Sequence, residues 1–166
     1  HGDLRRDELC YVGDGNNMCH SLLNLAGCLG MRMVVCTPKG YGPDAGILAS
    51  ASRLATHNGG QIRLVAEPLS AVKGASFVYT DVWASMGQEA EAEERRKVFR
   101  PFQVNAELLA AAPAHAKILH CLPAHRGEEI AAEVIDGPQS LVFEQAENRL
   151  HAQKALRVRL LNRKKR

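Results

Sequence analysis

The feature that most limits what this chain can fold into is an alternation of short apolar runs with segments of helix length. The runs cover residues 9–12, 33–36, 62–65, 77–80, 117–121 and 141–143, mostly too brief for helices. Between the first two, "NNMCHSLLNLAGCLG" sets Met18, Leu22, Leu25 and Leu29 at steps of three or four residues and ends on Gly30, a helix C-cap position. "DAGILASASRLATHNGG" does the same with Ile47, Leu54 and a Gly-Gly stop. "QEAEAEERRKVF" runs acid first and base last, the order that suits a helix dipole. Continuous apolar strands joined by helices imply a parallel sheet covered on both faces. The expected fold is α/β, a doubly wound, mainly parallel, Rossmann-like sheet of about five strands with helices on both faces.

A chain of 166 residues that is 46% hydrophobic suits one domain around one sizeable core. The domain is expected over residues 1–156, followed by a basic tail at 157–166. That tail, "RVRLLNRKKR", holds six of the 21 basic residues and no acid, leaving 15 bases against 18 acids in the body. A basic run at a chain end reads as a solvated terminus, and nucleic acid is not an expected partner. No apolar run reaches the roughly 18 residues of a spanning helix, and "HGDLRRDELC" is too charged for a secretory signal, so no membrane is expected. The five cysteines form no C-x-x-C pair, which favours a reducing cytoplasm. No metal and no cofactor are expected; His120 and His125 around Cys121 would be the only candidate ligands.

Ligands of doubly wound sheets bind at the carboxyl ends of the strands, so the residues just after each run carry the functional question. The first run delivers "GDGNN", Gly13 to Asn17. It resembles half a dinucleotide fingerprint, but Met18 stands where the third glycine belongs, and "CTPKG" after the second run lacks the acid that would hold a ribose. What remains is a helix N-terminus with donors for a carboxylate or phosphate, or simply an asparagine cap. The fourth run delivers "TDVWASMGQE". Asp81 there is either a turn former or a seat for a cationic amine, with Ser85 and Met86 beside it. The fifth delivers "HCLPAHRGEE". Cys121 is inert in apolar surroundings or partly ionised if His120 and Arg126 lie against it. Arg149, in "VFEQAENRLHAQKA", suits planar oxygens or a surface ion pair with Glu144 or Glu147.

Taken in order, "YVGDGNNMCHSLL", "TPKGYGPDA", "TDVWASMGQE", "HCLPAHRGEE" and "VFEQAENRLHAQKA" resemble the amino-acid-binding domain of ornithine carbamoyltransferases, over residues 9–155. The resemblance implies that Asn17, Asp81, Ser85 and Met86 hold the α-amino and α-carboxylate groups of L-ornithine. It implies that Cys121 and Leu122 approach the carbamoyl group, that Cys121 is catalytic near the reacting δ-amine, and that Arg149 contacts carbamoyl phosphate. It also implies a cis Leu122-Pro123 bond. The reaction implied is attack of the neutral δ-amine on carbamoyl phosphate to give citrulline and phosphate, with alignment supplying roughly 7–11 kcal/mol of the barrier. The family's Ser-Thr-Arg-Thr and His-Pro-x-Gln segments do not occur in residues 1–166. The chain is therefore expected to lack the carbamoyl-phosphate-binding domain, to be inactive alone, and to lack the contacts through which the family forms homotrimers. A non-catalytic amino-acid-binding module and a putrescine-type carbamoyltransferase domain are the alternatives.

Overall fold

The structure, a computed structural model, describes residues 3–84 and 92–162. Five strands form one parallel sheet: β1 (Glu8–Val12), β2 (Arg32–Cys36), β3 (Gln61–Leu64), β4 (Phe77–Thr80) and β5 (Lys117–His120). Their order across the sheet is β3-β2-β1-β4-β5, so the chain builds outward from β1 in one direction and then returns to build outward in the other. The reversal falls between β1 and β4, whose register pairs Cys10 with Val78 and Tyr11 with Tyr79. This is the doubly wound arrangement expected from the apolar runs.

Every residue of β1 is buried, as a central strand covered on both faces requires. Tyr11, Met33, Val35 and Tyr79 point to one face and pack with Cys19, Leu23 and Ala26 of α1 (Asn17–Leu29) and with Ala51 of α2 (Ala45–His57). Cys10, Val12, Val34, Val78 and Ile118 point to the other. There they meet Ala71 of α3 (Pro68–Ala71), Leu108 of α5 (Ala106–Ala111), Val134 and Ile135 of α6 (Ala132–Ile135), and Val142 of α7 (Val142–Leu161). The remaining helix, α4, spans Ala92–Phe99. Alternate side chains on one strand thus feed two cores, which is why period-two sorting is invisible in so uniformly apolar a run.

Local chemistry sets the helix ends. Asn16 caps α1 by accepting from the backbone N–H groups of Met18 and Cys19, and Gly30 ends it with a φ of 66°. Asp44 caps α2 by accepting from Ile47 N–H at 2.9 Å. Gly15 is required by proximity: a Cβ there would lie 2.3 Å from the Gly42 carbonyl carbon and the Pro43 nitrogen. The β1–α1 turn is thereby seated directly against the loop that leaves β2.

Two details depart from expectation. Residues 141–143 are not a strand. Ser140 makes an isolated bridge to Ile118, Leu141 N–H donates to Ile118 O at 2.9 Å, and Val142 already begins α7. In addition, α7 continues through Leu161, so the first five residues assigned to the basic tail are helical. Among the described residues, no helix is long and apolar enough to cross a membrane.

Candidate active site

The carboxyl ends of β1, β4 and β5 bring three loops together around one side chain. Asp81, the first residue after β4, is 8% exposed. Its Oδ2 accepts from Asn16 Nδ2 at 3.0 Å, and its Oδ1 accepts from Val82 N–H at 2.8 Å and from the Cys121 thiol at 2.9 Å. All three donors are neutral, and among the described residues no cation pairs with Asp81. Desolvating a carboxylate this far is costly unless something positive compensates it. The arrangement is suited to a ligand that carries its own positive charge.

Asn16 holds this centre to the start of α1. Its Oδ1 serves as the helix cap while Nδ2 reaches Asp81, and Tyr11 Oη donates to Asp14 O at 2.8 Å beneath it. Asn17, the first residue of α1, is exposed and stands beside the cap rather than acting as it. Ser85 and Met86 lie outside the described residues.

Cys121 is half-buried. Burial first, and then the hydrogen bond to Asp81 and its charge, push the thiol up to about 12. Among the described residues, the cationic surroundings that would have ionised it are not formed. Arg126 is turned away into an ion pair with Asp136 at 2.7 Å, and His120 points inward, 1% exposed, with Nε2 at 3.2 Å from Glu129 Oε1. At neutral pH the thiol is a donor to Asp81 and not a thiolate. His120 and His125 also do not gather around Cys121, so that candidate metal constellation is absent.

The backbone after Cys121 is unusual. Leu122 is the one described non-glycine residue with positive φ, 56°, a conformation that costs a branched residue roughly 1–2 kcal/mol. Its N–H donates to His120 Nδ1 at 2.8 Å, which places the ring proton on Nε2, facing Glu129. Glu129 Oε1 in turn accepts from His125 N–H at 2.6 Å, closing the loop on itself. The Leu122-Pro123 bond is cis.

Arg149 sits on the exposed side of α7. Its expected ion pairs with Glu144 or Glu147 are not formed among the described residues, where Glu147 faces His151 at 3.5 Å instead. Sequence reasoning passed over two residues that organise the rim. Gln145 on α7 accepts from His120 N–H at 3.1 Å and donates to Tyr79 Oη at 3.2 Å, tying β5 to β4. Arg95, 4% exposed on α4, pairs with Asp14, donates to Trp83 O, and lies over the Tyr41 and Phe99 rings at 4.9 and 5.1 Å. The Arg-rich, Glu-rich helix pattern around Arg95 reads as a solvated face, and nothing in the spacing marks one arginine as buried.

Residues 6–160 match the family described as "Aspartate/ornithine carbamoyltransferase, Asp/Orn binding domain". The chain belongs to that family. Among the relatives of this carbamoyltransferase domain, the ornithine carbamoyltransferase of Symbiobacterium thermophilum is 59% identical over 155 residues, covering 93% of this chain and 50% of its own length. The solved ornithine carbamoyltransferase of Pyrococcus furiosus superposes with a TM-score of 0.89 at 55% identity, over 93% of this chain and 50% of that one. The anabolic enzyme of Campylobacter jejuni gives 0.90 at 35% identity, over 98% and 54%. The chain spans about half the length of the curated relatives it matches.

Proposed function

We propose that this chain is the ornithine-binding half of an ornithine carbamoyltransferase, the enzyme that moves a carbamoyl group from carbamoyl phosphate to the δ-amine of L-ornithine. The observation that carries this reading is the near-buried Asp81, held among the described residues only by neutral donors. A substrate ammonium against it makes a charge-assisted pair in a low-dielectric site. Asn17, with Ser85 and Met86, takes the remaining polar groups at the amino-acid end of ornithine. The relatives named above are ornithine carbamoyltransferases by name, which supports ornithine as the substrate.

Cys121 and the Leu122 main chain face the reacting end, and Arg149 serves the phosphate. The raised thiol limits what Cys121 does before substrate arrives: it donates to Asp81 and takes no proton. A cationic substrate at Asp81 offsets the carboxylate charge that the thiol feels and lowers its pKa, so the thiol releases its own proton to solvent only after binding, and the resulting thiolate then takes up the δ-ammonium proton. Most of the acceleration comes from alignment of two bound reactants. The rest of the carbamoyl-phosphate site is supplied from outside this chain, and turnover requires both parts. Five free thiols suit a reducing cytoplasm.

The test is titration calorimetry of the chain with L-ornithine, with and without carbamoyl phosphate, beside the Asp81→Asn variant. L-Ornithine is expected to bind, Asp81→Asn to abolish the heat, and no citrulline to form from the chain alone. A folded chain that ignores ornithine, or one that prefers L-aspartate or putrescine, overturns the assignment.

A further inference from the structure

The turn after the cis bond gathers a set of potential metal-ligating groups beside His120. Gly127, with φ of 88°, reverses the chain so that His125, Glu128 and Glu129 each offer a donor atom, all within 4.8 Å of one another. The turn is fixed to the body from outside: Gln103 Nε2 donates to Gly127 O at 2.9 Å and to Glu128 O at 2.8 Å, and Val104 N–H donates to Glu129 O at 2.9 Å.

Glu129 supplies an independent observation. It is fully buried, and its Oε1 accepts from His120 and from His125 N–H. Its Oε2 is buried and has no hydrogen-bond partner among the described residues, and it lies 3.8 Å from His125 Nδ1. An uncompensated oxygen of a buried carboxylate is costly. Glu128 approaches from the partly exposed side, and both of its contacts with Arg96, at 3.0 and 2.9 Å, fall on a single oxygen, Oε1.

We propose that His125, Glu128 and Glu129 form a binding site for a divalent metal ion of the zinc class. One imidazole and two carboxylates make a three-protein-ligand set, with water at the open position. His120 donates to Glu129 Oε1 and thereby orients the ligating carboxylate, the supporting contact that such sites need. The site is separate from the proposed ornithine contacts, so its failure leaves the ornithine titration unaffected.

Zinc alone, titrated calorimetrically into the chain and into His125→Ala and Glu128→Gln, tests this. The His125 side chain is 55% exposed, so its removal leaves the fold intact, which the circular dichroism of each variant checks. Affinity is expected to fall by at least about 10-fold in either variant, the loss that even supporting-contact changes bring. Cobalt(II) separates this site from the thiols: nitrogen and oxygen ligation gives d–d bands without the thiolate charge-transfer band. The His125 ring nitrogens should shift on zinc addition. Absence of zinc binding, affinity in both variants equal to that of the parent chain, or cobalt spectra of thiolate type that His125→Ala leaves unchanged overturns the site.

Discussion

Asn16 commits both ends of its amide inside the molecule, the oxygen to the first turn of α1 and the nitrogen to Asp81, whereas Asn17 keeps an exposed side chain at the same rim. The two substitutions should therefore separate. Asn16→Ala loses a helix cap and is expected to lower unfolding free energy by about 1–2 kcal/mol, read from the urea midpoint. Asn17→Ala should leave that midpoint within about 0.5 kcal/mol of the parent while weakening the calorimetric affinity for ornithine. From sequence alone the pair offers a cap and a ligand without saying which residue is which. Cys121 was harder to read. Arg126 is only five residues away in the chain, yet its guanidinium closes on Asp136, and the group that governs the thiol is Asp81, forty residues upstream. Proximity along a chain predicts the charge around a side chain poorly once loops fold back.

The elements themselves were legible because five apolar runs coincide with parallel strands, buried along β1, β2 and β4 but exposed along β3, and a helix-spaced apolar series coincides with α1, although its buried face is Cys19, Leu23 and Ala26 while Leu25 and Leu29 stay exposed. The sixth run failed for a local reason. Val142 is buried and Phe143 is 61% exposed, an alternation that mimics a strand, but Leu141 makes the last sheet-like hydrogen bond and the backbone turns helical after it. The seating of the β1–α1 turn on the next loop was equally hidden, since it depends on Gly15 meeting backbone twenty-seven residues later. Gly15→Ala drives a methyl into the Gly42–Pro43 peptide, where no flexible side chain can yield. It should cost about 1–3 kcal/mol, as overpacking does, and weaken ornithine binding together with stability. A variant with unchanged urea midpoint would show that the two loops are free to separate.

At the scale of the whole molecule, buried thiols set the alkaline limit. Cys19, Cys36 and Cys121 are each raised from 9.0 to about 12, chiefly by burial. Folding favours their protonated forms, so their contribution is complete below about pH 9 and is lost as pH climbs toward 12. The melting temperature should fall across that interval, and replacement of Cys19 by Ala should make the fall shallower. A flat profile would contradict the burial of these groups.

The order in which the sheet is wound also bears on when the binding rim comes into being. Strands β1 and β2, with α1 and α2, are neighbours in the chain and can gather early, whereas β4 must return past β2 and β3 to lie against β1, and β5 must follow it. Long-range parallel pairing is slow because loop closure precedes its reward. Pulsed hydrogen exchange should therefore find α1 protected before β5, and a refolding chain should regain its backbone well ahead of its appetite for substrate.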